Sequence, residues 1–162
     1  MPNGRQSPER PAEVERSALS GLDELTISAN GAEVRRASEW LDASCRRRNV
    51  PQASAERLAL CLHEVLANII AHGGGTALSA PVRLLLEVGF EPDTGKASVT
   101  VSDAGIAFNP LLVPKKVLPK TLAEASSGGL GMVLIRRCSD RLDYRREDGR
   151  NLLTFGVRWN AR

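Results

Sequence analysis

The stretch Glu64-Val-Leu-Ala-Asn68-Ile-Ile-Ala-His72 sets three polar side chains at four-residue intervals inside an otherwise apolar run. On an α-helix an interval of four rotates by about 40°, so Glu64, Asn68 and His72 form one narrow stripe. Leu58, Leu62, Val65, Leu66, Ile69 and Ile70 take the opposite arc. Asn is a weak helix former, and Ala at that place would serve the helix better. A carboxamide oxygen is a hard ligand suited to Mg²⁺, which keeps several waters and takes phosphate oxygens as further ligands. A carboxylate one turn away can orient or deprotonate a nucleophile. The plainer alternative is an amphipathic helix whose polar side carries these residues by accident, with His72 capping or packing at its end. His63 points about 100° off the stripe and receives no chemistry.

Two further boxes lie downstream. Asp103 ends an alternating segment and is followed by Gly105. A strand-end carboxylate can accept a hydrogen bond from an exocyclic amino group such as that of adenine. A glycine beside it, lacking Cβ, permits a flat ring to approach the backbone; an ordinary Asp-containing turn would look the same. The third box, Ser126-Ser-Gly-Gly129-Leu-Gly131, precedes a helical pattern. Free amides at a helix start favour phosphate, and glycines let the backbone close around it. It is neither a Walker A motif, since no Lys-Ser/Thr follows, nor a Rossmann fingerprint, since the G-x-G-x-x-G spacing is absent.

These boxes need elements to hold them. Glu24 to Ser28 reads as a strand. Asn30 opens a helix, with Glu33 completing a capping-box pattern. A second helix spans about Ser54 to His72 and is stopped by Gly73-Gly74-Gly75. Residues 82 to 90 alternate as a strand, Pro92-Asp93-Thr94-Gly95 turns, and Ala97, Val99 and Val101 continue the hairpin. Residues 110 to 127 hold Pro110, Pro114, Pro119 and three lysines without periodicity, the pattern of a lid or binding loop. A third helix runs to about Cys138. Segments 141–147 and 151–159 alternate around Asp148-Gly149. The order β-α-α-β-β-lid-α-β-β implies an α/β two-layer sandwich, a mixed, mostly antiparallel sheet with helices on one face.

The chain has 162 residues, 42% hydrophobic and 25% charged, enough for one domain with a core and too few for two. Residues 1–21 read as a disordered tail and 22–162 as the domain. The net charge of +3, from 22 basic and 19 acidic residues, is interspersed and gives no case for direct nucleic-acid binding. Cys45, Cys61 and Cys138 lack any paired spacing, which excludes a zinc motif and suits reduced thiols in a cytoplasmic protein. No run reaches membrane-spanning length, and the start has no secretory h-region.

Taken in order, Cys61-Leu-His-Glu-Val-Leu-Ala-Asn-Ile-Ile-Ala-His72, Asp103-Ala-Gly-Ile-Ala-Phe-Asn-Pro110 and Gly128-Gly-Leu-Gly-Met-Val-Leu-Ile-Arg136 resemble the GHKL ATPase superfamily, the Bergerat fold. Within it the chain looks most like the anti-sigma factor serine/threonine kinases of the RsbW and SpoIIAB type. Asp140-Arg-Leu-Asp-Tyr144 and Gly149-Arg-Asn-Leu-Leu-Thr-Phe155 carry the likeness on to about residue 159.

The resemblance implies a role for each box. Asn68 would coordinate Mg²⁺ on ATP, with His72 on the same cofactor edge, and Glu64 would activate the acceptor hydroxyl. Asp103 would bind the adenine amino group with Gly105 beneath the ring. Gly128, Gly129, Leu130, Gly131 and Met132 would supply the phosphate loop and helix start, and Thr154 would complete the adenine pocket. It implies a kinase that phosphorylates a STAS-domain antagonist and sequesters a sigma factor or other regulator, as a homodimer. One departure stands out: where some relatives carry an arginine before the glycine loop, this chain has Ser126-Ser127, and Lys115, Lys116 or Lys120 is a point charge rather than a bidentate fork. The competing functions are a nucleotide-dependent binding module without kinase activity and a detached histidine-kinase-like ATPase domain. The second lacks a phosphoacceptor histidine helix before the first box.

Overall fold

In the computed structural model, residues 20–112 and 130–162 are described. β1 (Gly21–Ile27) starts one residue inside the stretch read as tail. It leads to helix α1 (Gly31–Arg47), whose N-cap Asn30 accepts a hydrogen bond from Glu33 N at 3.0 Å. The Glu33 carboxylate reaches back to Ser28 N (3.4 Å), two residues beyond the partner a capping box would give it. At the other end of α1, Arg48 grips β1. Its Nε meets Asp23 Oδ2 at 2.5 Å, and its other nitrogens reach Ser20 O and Leu22 O.

Helix α2 (Gln52–His72) buries Leu58, Cys61, Leu62, Val65, Leu66 and Ile69, the arc opposite the polar stripe. Gly73 caps it, and Gly74, at φ +77°, turns the chain into a short helix α3 (Gly74–Ser79) that the glycine run gave no hint of. A side chain at Gly73 would strike Ala77 Cβ and Ile69 O, so the two helices can join this tightly only through glycine.

β2 (Val82–Glu91) and β3 (Thr94–Asp103) form the expected hairpin. A 3₁₀ turn (Pro110–Leu112) follows, then α4 (Leu130–Cys138), β4 (Arg141–Glu147) and β5 (Arg150–Asn160). Asp148 and Gly149 both have positive φ, as a two-residue type I′ hairpin turn requires. The sheet order is β1-β2-β3-β5-β4. The sequence suggested a mixed, mostly antiparallel sheet; all four pairings among the described residues are antiparallel.

Val82, Leu84, Leu86, Val99, Val101, Phe155 and Val157 face inward and are essentially inaccessible, as are Leu41, Leu58 and Leu62 on the helices. Each such side chain contributes about 1.5–3 kcal/mol through burial. The resulting α/β sandwich puts α2 across the sheet, with α4 lying antiparallel along it. Arg57 Nε donates to Cys138 O (2.9 Å), the Cys61 thiol to Ile135 O (3.8 Å), and Glu64 meets Gly131. Rising numbers on α2 thus meet falling numbers on α4, which brings the first turn of α4 to the polar stripe. No described helix is long and apolar enough to cross a membrane.

Candidate functional site

A cavity of about 260 Å³ opens between α2, the ends of β3 and β5, and α4. Helix α2 gives it Val65, Asn68, Ile69 and His72; β3 gives Asp103; β5 gives Asn151 and Leu153; α4 gives Met132 and β4 gives Tyr144. The chain leaving β3 adds Ile106, Phe108 and Pro110, of which Ile106 and Phe108 are 62% and 51% exposed and form an apolar rim.

The stripe divides along its length. Asn68 and His72 line the cavity, whereas Glu64 sits beyond its wall at the start of α4. A Cβ on Gly131 would lie 2.8 Å from Glu64 Oε2 and 3.8 Å from both carboxamide atoms of Asn68. The first turn of α4 therefore presses on both polar side chains. Leu130 is the first residue of this helix, and Met132 is buried against the cavity. Gly128 and Gly129, with Ser126, Ser127 and the three loop lysines, lie outside the described residues.

Asp103 is buried to 7% exposure, and its Oδ1 accepts from Gly105 N (2.9 Å) and Asn151 Nδ2 (3.2 Å). Among the described residues this leaves Oδ2 to accept from a ligand. Gly105 has a packing role besides the one read in the sequence. A side chain there would meet Asp103 Oδ1 at 2.7 Å and Gly73 O at 2.9 Å, and Gly105 does not line the cavity. Its missing Cβ makes room for the end of α2, and the neighbouring Ile106 N donates to Gly73 O at 3.1 Å.

Thr154 is likewise displaced. Side chains alternate along a strand, and Asn151, Leu153, Phe155 and Val157 point to the helices. Thr154 faces the other way, its Oγ1 2.7 Å from Thr100 Oγ1 on the far side of the sheet. The β5 residue beside Asp103 is Asn151, its register partner. Its Oδ1 accepts from Tyr144 OH (2.6 Å) and Arg146 Nη1 (2.9 Å), while Nδ2 also donates to Ile106 O (2.9 Å). Sequence reading passed over Asn151 as the flank of a hairpin turn. The signal was its parity with Phe155, four residues on.

Below the site, Arg57 donates to Asp140 Oδ1 at 2.8 Å and anchors the far end of α4. That hydrogen bond holds the Asp140 carboxyl below its ordinary range, against a smaller opposing effect of burial. Cys61 and Cys45 are pushed up to about 12 and about 11 by burial, so neither is a nucleophile. All three cysteines are free thiols, and no cluster of three His, Cys, Asp or Glu that could hold a metal occurs among the described residues.

A family model described as the histidine kinase-like ATPase domain matches residues 27–157. The chain is 30% identical over 136 residues to the serine/threonine-protein kinase BtrW of Bordetella bronchiseptica, spanning 84% of this chain and 93% of that relative. Among solved structures, that of the RsbU and RsbW domains of Rv1364c from Mycobacterium tuberculosis superposes with a TM-score of 0.62 at 14% identity. The match covers 88% of this chain and 33% of that one, so this chain spans about a third of its length, and the likeness is one of fold.

Proposed function

This chain belongs to the histidine kinase-like ATPase family, and from that membership and its 30% identity to a serine/threonine-protein kinase we propose that it is an RsbW-like protein kinase using Mg-ATP. Its substrate is a serine or threonine hydroxyl on a STAS-domain antagonist. It also sequesters a sigma factor or another regulator, exchanging partners in the cytoplasm as a homodimer. The observation that carries this reading is the meeting of Glu64 and Asn68 at Gly131, with Asn68 and Asp103 lining the same cavity.

At about 260 Å³ the cavity falls just below the roughly 300–1,000 Å³ usual for ligand sites, a size that suits the base with sugar and phosphates extending outward. Asp103 Oδ2 accepts the base's amino hydrogen; Val65, Ile69, Met132 and Leu153 supply apolar walls. Amides of the first turn of α4 face the phosphates, where the helix dipole favours negative charge. The donor set fits Mg²⁺, since one carboxamide beside one carboxylate cannot cage an ion alone but can share one with phosphate oxygens. Asn68 Oδ1 would hold it, and bound there the ion would neutralise phosphate charge. Glu64 takes the proton of the acceptor hydroxyl as that oxygen bonds to the γ-phosphorus and ADP leaves with the bridging oxygen. Positioning and charge account for most of the acceleration.

Incubating the protein with γ-labelled ATP and its STAS-domain partner, then mapping the phosphosite, tests this. Label on a serine or threonine of the partner is expected. Tight ATP binding without label would favour a nucleotide-dependent binding module, the reading that Ser126-Ser127 in place of an arginine supports.

A further inference from the structure

We infer that Asn151 is a positioning residue for base recognition: its carboxamide fixes which oxygen of Asp103 faces the cavity, and thereby makes the pocket select a base that donates an amino hydrogen. The inference rests on the assignment of Asp103 to the nucleotide base.

The hydrogen bonds leave the carboxamide one orientation. Arg146 Nη1, which can only donate, lies 2.9 Å from Oδ1, and Tyr144 OH lies 2.6 Å from the same atom. The Nδ2 side therefore meets acceptors alone, Asp103 Oδ1 at 3.2 Å and Ile106 O at 2.9 Å. Asn151 is 6% exposed, so water cannot substitute freely at these places. With Gly105 N at 2.9 Å, the Asn151 amide saturates Oδ1 and locks the carboxylate plane. What remains for a ligand is Oδ2, an acceptor only. It matches the amino group of adenine and repels the keto oxygen that hypoxanthine presents at the same position. Without Asn151, Asp103 keeps a single hydrogen bond and its carboxylate is free to turn.

A role in selection is separable from a role in folding. Calorimetric titration with ATP and with ITP, both with Mg²⁺, measures a preference that general damage to the cavity would leave unchanged. The parent protein is expected to bind ATP at least about tenfold tighter than ITP. Asn151→Ala should weaken ATP by about tenfold or more and ITP much less, so the preference collapses. Asn151→Asp, nearly isosteric, turns a carboxyl toward Asp103 Oδ1 and Ile106 O. Its ATP binding should be weak at pH 8 and recover toward pH 5.5, where the facing carboxyls share a proton and the donor is restored. Recovery within one protein rules out misfolding. If the parent discriminates but Asn151→Ala keeps the ATP-to-ITP ratio, or Asn151→Asp stays flat with pH, the inference falls and the nucleotide assignment stands. If the parent treats ATP and ITP alike or binds neither, the assignment of Asp103 fails and takes the inference with it.

Discussion

Gly131 abuts Glu64: a Cβ on the glycine would lie 2.8 Å from the Oε2 atom of the carboxylate. With no side chain at residue 131, the first turn of α4 approaches the polar stripe of α2 without displacing Glu64. The atom it would strike is the far end of a flexible side chain, so an added methyl moves Glu64 rather than the helix.

Gly131→Ala is therefore expected to keep its fold, with a melting temperature within a few degrees of the parent. Phosphotransfer should drop about ten- to a hundredfold, as expected when a catalytic group is misplaced by about an ångström. An unchanged single-turnover rate with labelled ATP would show that Glu64 is not needed in that place.

In the proposed mechanism Asp103 binds the base and Glu64 acts on the acceptor hydroxyl, so the two should fail in different ways. Asp103→Asn should weaken ATP binding by about tenfold or more, measured by calorimetry. Glu64→Ala should bind ATP as the parent does and lose about 10²–10⁴ in phosphotransfer, the usual weight of a general base. Normal phosphotransfer by Glu64→Ala would remove the general-base assignment.

Gly105→Ala brings a methyl against Gly73 O and Cα, backbone atoms that cannot step aside. A loss of about 1–3 kcal/mol in chemical denaturation is expected, as for overpacking elsewhere. ATP binding should weaken with it, because Asp103 Oδ1 is the third atom in the way. A neutral substitution would mean that the β3 exit does not depend on contact with α2.

The Arg57–Asp140 pair gives a pH dependence with a definite sign. The hydrogen bond from Arg57 depresses Asp140 below its ordinary 3.8, outweighing desolvation. A depressed carboxyl stabilises the fold above its unfolded value and loses that contribution as pH falls through the folded one. With side chains 33% and 39% exposed, the pair contributes about 0.5–1 kcal/mol at neutral pH. Asp140→Asn should be less stable than the parent by about that amount at pH 7, and the difference should close below about pH 4. Equal urea midpoints at pH 7 would count against it.

Much of this was readable from residue order, and the exceptions have physical causes. That Glu64 and Asn68 share one face was legible because helical periodicity aligns residues four apart whatever else the chain does. Thr154 was misplaced because strand parity is a two-way choice, and Leu152-Leu153 offers an apolar residue to either face. Only pairing with Asp103 settles the choice and brings Asn151 inward. The contact of Gly105 with the end of α2 was not legible, because a missing Cβ does not say which backbone comes close. The glycine run at 73–75 read as a stop signal, yet Gly74 at positive φ starts a new helix once Ala77 finds a buried place against Gly73.

Asp103 and Asn151 are cross-strand partners 48 residues apart, and β5 is the last described strand. A segment carrying the stripe, the carboxylate and all of α4 still lacks part of the cavity wall, because Asn151 and Leu153 lie on β5, which follows α4. The cavity is complete only when the β4–β5 hairpin has closed against α2.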